Sequence, residues 1–102
     1  MATTPFDLMG RTALVTGANT GIGQGIAIAL AQAGADIAAV ARSPADETAE
    51  QVRALGRRCE LVAADLSSIE PVTDVVETVV GKLGRLDILV NNAGIIRRED
   101  AL

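Results

Sequence analysis

Three glycines near the start of the chain have a spacing that suits anion binding. Gly17, Gly21 and Gly23 come after the apolar run 13–15 and before apolar residues that recur at helical spacing. Glycines let the backbone approach a ligand closely, and the first N–H groups of a helix point at a bound anion. Glycines also occur in ordinary turns, so the motif indicates a phosphate site only because a predicted strand precedes it and a predicted helix follows it. The sequence therefore predicts a nucleotide-phosphate site at this turn.

Side chains that could act as nucleophiles or metal ligands are scarce. The chain has one cysteine, Cys59, and no histidine, which excludes an intrachain disulfide and a histidine-based metal site. Cys59 opens an apolar run, and we interpret it as a buried packing residue. We expect no metal ligands in this chain. Since no disulfide can form, a reducing cytoplasm is the natural compartment.

Length and composition fit a single domain. The 102 residues carry a net charge of −4, and 49% of them are apolar. The one aromatic residue is Phe6, so the core must be built from Ala, Val, Ile and Leu. An acidic chain without a basic stripe is poorly suited to nucleic acid, and its apolar runs are too short to span a membrane. The first ten residues show no secretory signal. We therefore expect neither nucleic acid nor a membrane as a partner.

Apolar runs alternate with helical patterns along the chain. We predict strands at about residues 12–16, 37–41, 61–64 and 86–90, and helices at about residues 21–33, 43–56 and 67–83. Ser43 is the expected N-cap of the second helix, with Pro44 at its first position. Residues 67–70 fit a capping box for the third helix. Glycines fall at the expected helix ends: Gly34, Gly56 and Gly84.

This alternation predicts an α/β fold class. Strands that alternate with capped helices form a parallel sheet with helices on both faces. Right-handed crossovers favour the strand order 3-2-1-4 in a doubly wound, Rossmann-type sheet, whose fourth strand would keep an unpaired edge. The residues expected on the buried helix faces are Ile22, Ile26, Ala29, Leu30 and Ala33 in the first helix, Ala49, Val52 and Leu55 in the second, and Val72, Val75, Val76, Val79, Val80 and Leu83 in the third.

Three segments together resemble the short-chain dehydrogenase/reductase family. They are TGANTGIG at 16–23, Asp65-Leu66 after the third strand and Asn91-Asn92-Ala93-Gly94 after the fourth, in the order found in that family. The resemblance implies a dinucleotide whose pyrophosphate and adjacent ribose contact the first segment. The residues implied there are Gly17, Asn19, Thr20, Gly21, Ile22 and Gly23.

The other two segments are implied to hold the rest of the dinucleotide. By the same resemblance, Asp65 accepts a hydrogen bond from the adenine amino group and Leu66 lies beside the ring. Asn91, Ala93 and Gly94 are implied to hold the central strands and to contact the ribose side. Read from the residues alone, Asp65 fits a strand-end cap equally well, and residues 92–94 fit an ordinary turn.

Longer stretches indicate one branch of that family. GIGQGIAIALAQAGADI, LGRR and NNAGIIRREDAL look like the 2-deoxy-D-gluconate 3-dehydrogenase or 2-keto-3-deoxygluconate oxidoreductase branch. This likeness implies a keto or hydroxy sugar acid as the small-molecule substrate. Arg97 and Arg98 follow a strand, where open α/β sheets place their ligands, and a guanidinium there could pair with the sugar-acid carboxylate. The same residues also fit the solvated start of a helix.

The choice between NAD and NADP stays open at the end of the second strand. NAD sites usually place an acidic residue there to hold the ribose 2′-OH. In this chain the position is Ala41, followed by Arg42, and a guanidinium without a carboxylate suits a 2′-phosphate. The sugar-acid branch, in contrast, favours NAD. Arg42 also fits a solvated residue at a strand end.

The chain departs from the family in its catalytic residues. The family's chemistry needs a tyrosine with a lysine four residues later, and the lysine lowers the pKa of the tyrosine for proton exchange with the substrate. No tyrosine is present, and the only lysine is Lys82, on the third helix. We therefore name no catalytic residue. Residues 1–102 are expected to form one NAD(P)-binding domain, truncated before the catalytic half and inactive alone.

Two functions remain open from the sequence. The chain could be the dinucleotide-binding part of an NAD(P)-dependent oxidoreductase, for which the resemblance implies a homo-oligomer when complete. It could instead be a stand-alone nucleotide-binding or scaffolding module without turnover.

Overall fold

The chain folds around a four-stranded parallel sheet. The computed structural model describes residues 7–19, 21–43, 45–64 and 70–92. In chain order the elements are β1 (Thr12–Thr16), α1 (Gly21–Gln32), β2 (Asp36–Ala41), α2 (Asp46–Ala54), β3 (Cys59–Ala63), α3 (Glu70–Leu83) and β4 (Ile88–Val90). The strand order is β3-β2-β1-β4, and every pairing is parallel. The predicted α/β class and the predicted order 3-2-1-4 are confirmed.

The two faces of the sheet pack against different helices. Paired residues of parallel strands share a face, and successive residues alternate between faces. Val15 and Ala39 are partners and face a cluster that includes residues of α1 and α2. Leu14 and Ala38 are partners on the opposite face, in a cluster with residues of α3. All five residues of β1 are buried, because β1 has a strand on each side and helices on both faces.

The buried face of α1 differs from the predicted one. Its buried residues are Gly23, Ala27 and Ala31, whereas Ile22 is 70% exposed and Ala29 is also exposed. The other predicted residues of that face, Ile26, Leu30 and Ala33, are half-buried. The spacing of four residues places the small residues in one row along the helix. A row without large side chains lets the α1 backbone lie close to the sheet, which displaces the bulky residues to the sides.

The other two helices follow the prediction more closely. Ala49 and Val52 of α2 are buried as predicted, but Leu55 is exposed and Thr48 occupies the buried row instead. In α3, Val75, Val79 and Leu83 are buried as predicted, Val76 is half-buried and Val80 is exposed. The side chain of Val72 lies outside the described residues. In both helices the apolar pattern therefore predicts one buried residue that is exposed in the structure, Leu55 at the end of α2 and Val80 in α3.

The predicted N-cap of α2 is wrong, whereas the predicted glycine stops are right. The N-cap is Ala45, without a side-chain cap hydrogen bond, and Ser43 is exposed in the preceding loop. Carboxylates in the first turn of α2 suit the positive end of the helix dipole in place of a hydroxyl cap. Pro44 and the predicted capping-box residues 67–69 lie outside the described residues. The helix-ending glycines have positive φ, namely +112° at Gly34, +84° at Gly56 and +90° at Gly84.

The two outer strands are less covered than β1. Leu61 of β3 is 38% exposed and Leu89 of β4 is 59% exposed, so the expected cover on both faces does not extend to the sheet margins. In the described part of the chain, β4 pairs only with β1, as expected for an outer strand. None of the helices described is long and apolar enough to cross a membrane.

Asp87 joins β4 to β1 near the first residues of these two strands. We call this side of the sheet, where the strands begin, its amino-terminal edge, and the side where they end its carboxyl edge. Its carboxylate accepts a hydrogen bond from the Thr12 N–H at 2.9 Å, and its own N–H donates to the Thr12 carbonyl at 2.9 Å. Arg85 donates two hydrogen bonds to the carboxylate, at 2.8 and 2.7 Å. The Arg85 hydrogen bonds, followed by the one from Thr12, hold the pKa of Asp87 below its ordinary value of 3.8.

This lowered pKa predicts an acid-dependent loss of stability. The carboxylate contributes stability at pH values above its unfolded pKa, and the contribution is lost as the pH falls through the lower folded pKa. Asp87→Asn should therefore flatten the fall in the free energy of unfolding between about pH 5 and about pH 2. Urea unfolding followed by far-ultraviolet circular dichroism measures this, since the chain has no tryptophan or tyrosine. Arg85→Gln should flatten the same range, and a wild-type profile in both variants would contradict the assignment.

Candidate functional site

The glycine turn between β1 and α1 brings two backbone segments into direct contact. Gly17 has φ +65°, in the left-handed region that favours glycine. A Cβ added at Gly23 would lie 2.7 Å from the Gly17 carbonyl carbon and 3.1 Å from the Ala18 Cα, and closer still to the Gly17 oxygen. Only glycine fits at position 23. The first turn of α1 therefore packs on the backbone of the preceding turn.

The next residue of the turn is held from two other elements. The Ala18 N–H donates to the Val40 carbonyl of β2 at 3.3 Å. The Ala18 carbonyl accepts a hydrogen bond from the Thr48 hydroxyl of α2 at 2.7 Å. Sequence reasoning missed Thr48, although a threonine four residues before buried Val52 falls on the apolar row of that helix. A polar residue in a buried row needs a hydrogen-bond partner. The position of Thr48 in that row could therefore have indicated a bond to another element.

The surface at the start of α1 is open beside this packed turn. A Cβ added at Gly21 would meet no atom within 4 Å, and Asn19 and Ile22 are exposed. Thr20 lies outside the described residues. Gly21 is thus free of any packing demand from the described protein, in contrast to Gly23. The open space lies where the first N–H groups of a helix favour an anion.

A cavity of about 280 Å³ opens at the carboxyl ends of β2 and β3. Its polar side chains are Arg42 and Ser43, and the rest of its lining is apolar: Ala39, Ala41, Ala45, Leu61, Val62 and Ala63. Ala41 is buried, whereas Arg42 is exposed. The Ala18 N–H of the glycine turn donates to the carbonyl of Val40, which lies between the lining residues Ala39 and Ala41, so the two features adjoin. An apolar hollow with few polar groups suits an aromatic base attached to a polar group.

The carboxyl ends of β1 and β4 are also connected. The Thr16 hydroxyl lies 3.3 Å from the Val90 carbonyl oxygen and 3.2 Å from the Asn91 Oδ1. This places Asn91 at the same edge of the sheet as the glycine turn, and Asn91 is exposed there. The remaining predicted site residues lie outside the described residues: Asp65, Leu66, Ala93 and Gly94, together with Arg97 and Arg98.

The cysteine and the lysine lie away from this edge. Cys59, the first residue of β3, is buried as predicted, and its burial raises the pKa of the thiol to about 11. The thiol is therefore protonated at neutral pH and unsuited to act as a nucleophile. Lys82 lies 3.9 Å from the Glu60 carboxylate. No group of three or more acidic, cysteine or histidine residues placed to hold a metal ion occurs in the part of the chain that the structure describes.

Comparison with known proteins identifies the family. The sequence profile described as short chain dehydrogenase matches residues 11–102, which include the glycine turn and all four strands of the sheet. The chain belongs to the short-chain dehydrogenase family. The predicted resemblance is thereby confirmed.

Related proteins are considerably longer than this chain. The 2-dehydro-3-deoxy-D-gluconate 5-dehydrogenase of Escherichia coli K12 is 51% identical over 102 residues, all of this chain but 40% of that protein. The protein of the same name from Dickeya dadantii 3937 is 53% identical over 97 residues, 95% of this chain and 38% of the relative. The chain thus spans about two fifths of the length of these relatives.

A solved structure shares the arrangement described above. The short chain dehydrogenase from Mycobacterium paratuberculosis bound to NAD matches with a TM-score of 0.80 and 36% identity. The match covers 87% of this chain and 38% of that one. The Rossmann-type fold predicted from the sequence is confirmed by this likeness.

The packing at Gly23 predicts opposite effects of two similar substitutions. Gly23→Ala forces a methyl group onto the Gly17 backbone and should lower the free energy of unfolding by about 1–3 kcal/mol. Gly25→Ala, in the same helix with no atom within 4 Å of the added Cβ, should raise it by up to about 1 kcal/mol through helix propensity. Urea unfolding followed by circular dichroism gives both values. Equal effects of the two substitutions would show that the Gly17–Gly23 contact is unimportant.

Proposed function

We propose that residues 1–102 form a single dinucleotide-binding domain that binds NAD or NADP within a short-chain dehydrogenase. The observation that carries this proposal is the packed turn at Gly17 and Gly23, next to open space at Gly21 and adjoining an apolar cavity. A phosphate beside Gly21 would meet the positive end of α1 without displacing any described side chain. The NAD-bound relative of the same fold supports a dinucleotide as the ligand.

The two features suit different parts of one ligand. The pyrophosphate and adjacent ribose lie along the turn in this proposal, near Gly17, Asn19, Thr20, Gly21, Ile22 and Gly23. The adenosine occupies the cavity between β2 and β3, where Leu61 offers an exposed apolar surface and Arg42 a positive charge. Asp65 and Leu66 contact the adenine, and Asn91, Ala93 and Gly94 contact the ribose side. The nicotinamide supplies hydride transfer when the cofactor is bound, and this chain orients it.

The whole enzyme, in our proposal, transfers hydride between the nicotinamide and a keto or hydroxy sugar acid. Relatives named 2-dehydro-3-deoxy-D-gluconate 5-dehydrogenase, at 51% and 53% identity, support this substrate class. Arg97 and Arg98 are candidates to pair with the sugar-acid carboxylate. We also propose that the complete protein is a homo-oligomer, as the family resemblance implies.

A second candidate is a nucleotide-binding module without turnover. The observation that favours it is the absence of tyrosine from the 102 residues, together with a single lysine that pairs with Glu60. Without a tyrosine, this polypeptide alone lacks the residue that exchanges a proton with the substrate in the family's reaction. The two candidates share dinucleotide binding and differ in turnover of a keto-deoxy sugar acid, which is followed as oxidation of NADH or NADPH.

Dinucleotide binding depends on the open space at Gly21. Gly21→Leu fills that space with a side chain and should raise the Kd for NAD or NADP by about ten- to a hundred-fold through lost bonds to charged phosphates. Isothermal titration calorimetry with each dinucleotide measures the effect. Gly25→Leu is the matched control, since it lies one helical turn further along α1 and also faces open space. Equal affinities in the wild type and Gly21→Leu would contradict the placement of the phosphate.

The dinucleotide preference depends on the residue at position 41. Ala41→Asp places a carboxylate at the cavity, where it accepts from a ribose 2′-OH and repels a 2′-phosphate. The ratio of Kd for NADP to Kd for NAD should rise by about ten-fold or more. Gln32→Glu, an equal change of charge at the exposed end of α1, should leave the ratio unchanged. An unchanged ratio in Ala41→Asp would remove position 41 from the ribose site.

A further inference from the structure

We infer that Thr48 is a positioning residue for the dinucleotide-binding turn, acting through the carbonyl of Ala18. The inference rests on the proposed function and adds to it an element, α2, that none of the predicted site residues occupies. Thr48 would not touch the ligand itself. It would hold the turn in the conformation that the ligand needs.

The hydrogen bond from Thr48 joins α2 to the glycine turn. Thr48 is the third residue of α2, so its own helix offers no carbonyl four residues earlier to accept from the hydroxyl. The hydroxyl donates to Ala18, thirty positions away in sequence, at 2.7 Å. Thr48 is 1% exposed and Ala18 is fully buried. The other buried polar residues of the described chain, Thr12 and Thr16, lie in β1, so Thr48 alone brings a buried polar group from a helix.

This bond sets the orientation of the peptide unit that follows Ala18. A trans peptide is planar, and its C=O and N–H point in opposite directions. The unit whose oxygen accepts from Thr48 also carries the Asn19 N–H. That N–H therefore points away from Thr48. Because Asn19 is exposed beside the open space at Gly21, we infer that this N–H is presented to the pyrophosphate or its ribose.

Among the described residues, the other constraints on the turn act on a different peptide unit. Gly17 is fixed by its backbone contact with Gly23, and the Ala18 N–H is fixed on Val40 at 3.3 Å. Both act on the peptide unit before Ala18. The unit after Ala18 is held at its oxygen by the shorter bond from Thr48. Without the hydroxyl, the Ala18 oxygen is left buried without this partner, and rotation toward water relieves that penalty.

The expected consequence is weaker binding through loss of the competent conformation. The apparent Kd equals the intrinsic Kd divided by the fraction of unliganded chains whose turn is in the binding conformation, so it rises as that fraction falls. Thr48→Val keeps the shape of the side chain and removes the hydroxyl, so its Kd for NAD or NADP should rise by about ten-fold. Thr48→Ser restores the hydroxyl and should return the Kd to near the wild-type value. Isothermal titration calorimetry on the 102-residue chain measures both.

A control variant separates positioning from general stability. Val52→Ala removes buried volume from the same helix without removing a bond to the turn, and its Kd should stay near the wild-type value. Amide hydrogen exchange of the unliganded variants gives a second measurement. Exchange of the Ala18 N–H, which donates to Val40 in this turn, should accelerate in Thr48→Val relative to Val52→Ala. Should Thr48→Val fail to fold, Thr48→Cys, with its weaker S–H donor, should give a Kd above that of Thr48→Ser.

The possible outcomes distinguish this inference from the function on which it rests. If the wild type binds a dinucleotide and the hydroxyl-lacking variant binds equally well, the role of Thr48 is overturned while the proposed function stands. Equal losses in Thr48→Val and Val52→Ala would reduce Thr48 to a structural residue. If the folded wild-type chain binds neither NAD nor NADP, the proposed function fails and the inference fails with it.

Discussion

The backbone contact between Gly17 and Gly23 is the constraint on which the arrangement of this chain depends. It brings the first turn of α1 onto the end of β1, and the small residues Ala27 and Ala31 continue the close approach along the helix. A larger residue at position 23 would push the helix away from the sheet. The same contact leaves the start of α1 beside an open surface at Gly21. Packing of the helix and formation of the proposed binding surface thus have one cause.

The two edges of the sheet have different roles. At the amino-terminal edge, Asp87 is bonded to Thr12 and Arg85, and Asp36 accepts hydrogen bonds from the Arg58 N–H and guanidinium at 2.9 and 3.0 Å. At the carboxyl edge lie the glycine turn, the cavity and the exposed surface of Asn91. Open α/β sheets bind their ligands outside the carboxyl ends of their strands. Charged side chains therefore join elements at the amino-terminal edge, while the proposed ligand lies at the carboxyl edge.

Most of the fold could be predicted because its signals are local. The apolar run of β1 and the left-handed glycines that end the helices are each decided by a few neighbouring residues. Handedness rules then leave the order 3-2-1-4 as the natural connection. The site was predictable where glycines mark a close approach, at Gly17 and Gly23. Thr48 was not predicted as part of the site, because its partner Ala18 lies thirty residues away.

By itself, the sequence determined the fold class, the strand order, the glycines that end the helices and the position of the glycine turn, since periodicity and glycine stereochemistry act over short distances. Only the tertiary structure decided which row of α1 is buried, because Ile22 and Ala27 fit a helical pattern equally well. It also decided that Ala45 rather than Ser43 begins α2 and that Thr48 holds the turn. Each of these depends on contacts between elements, which no local pattern contains. The glycine turn is thus readable from the sequence, whereas its support from α2 is a property of the folded chain.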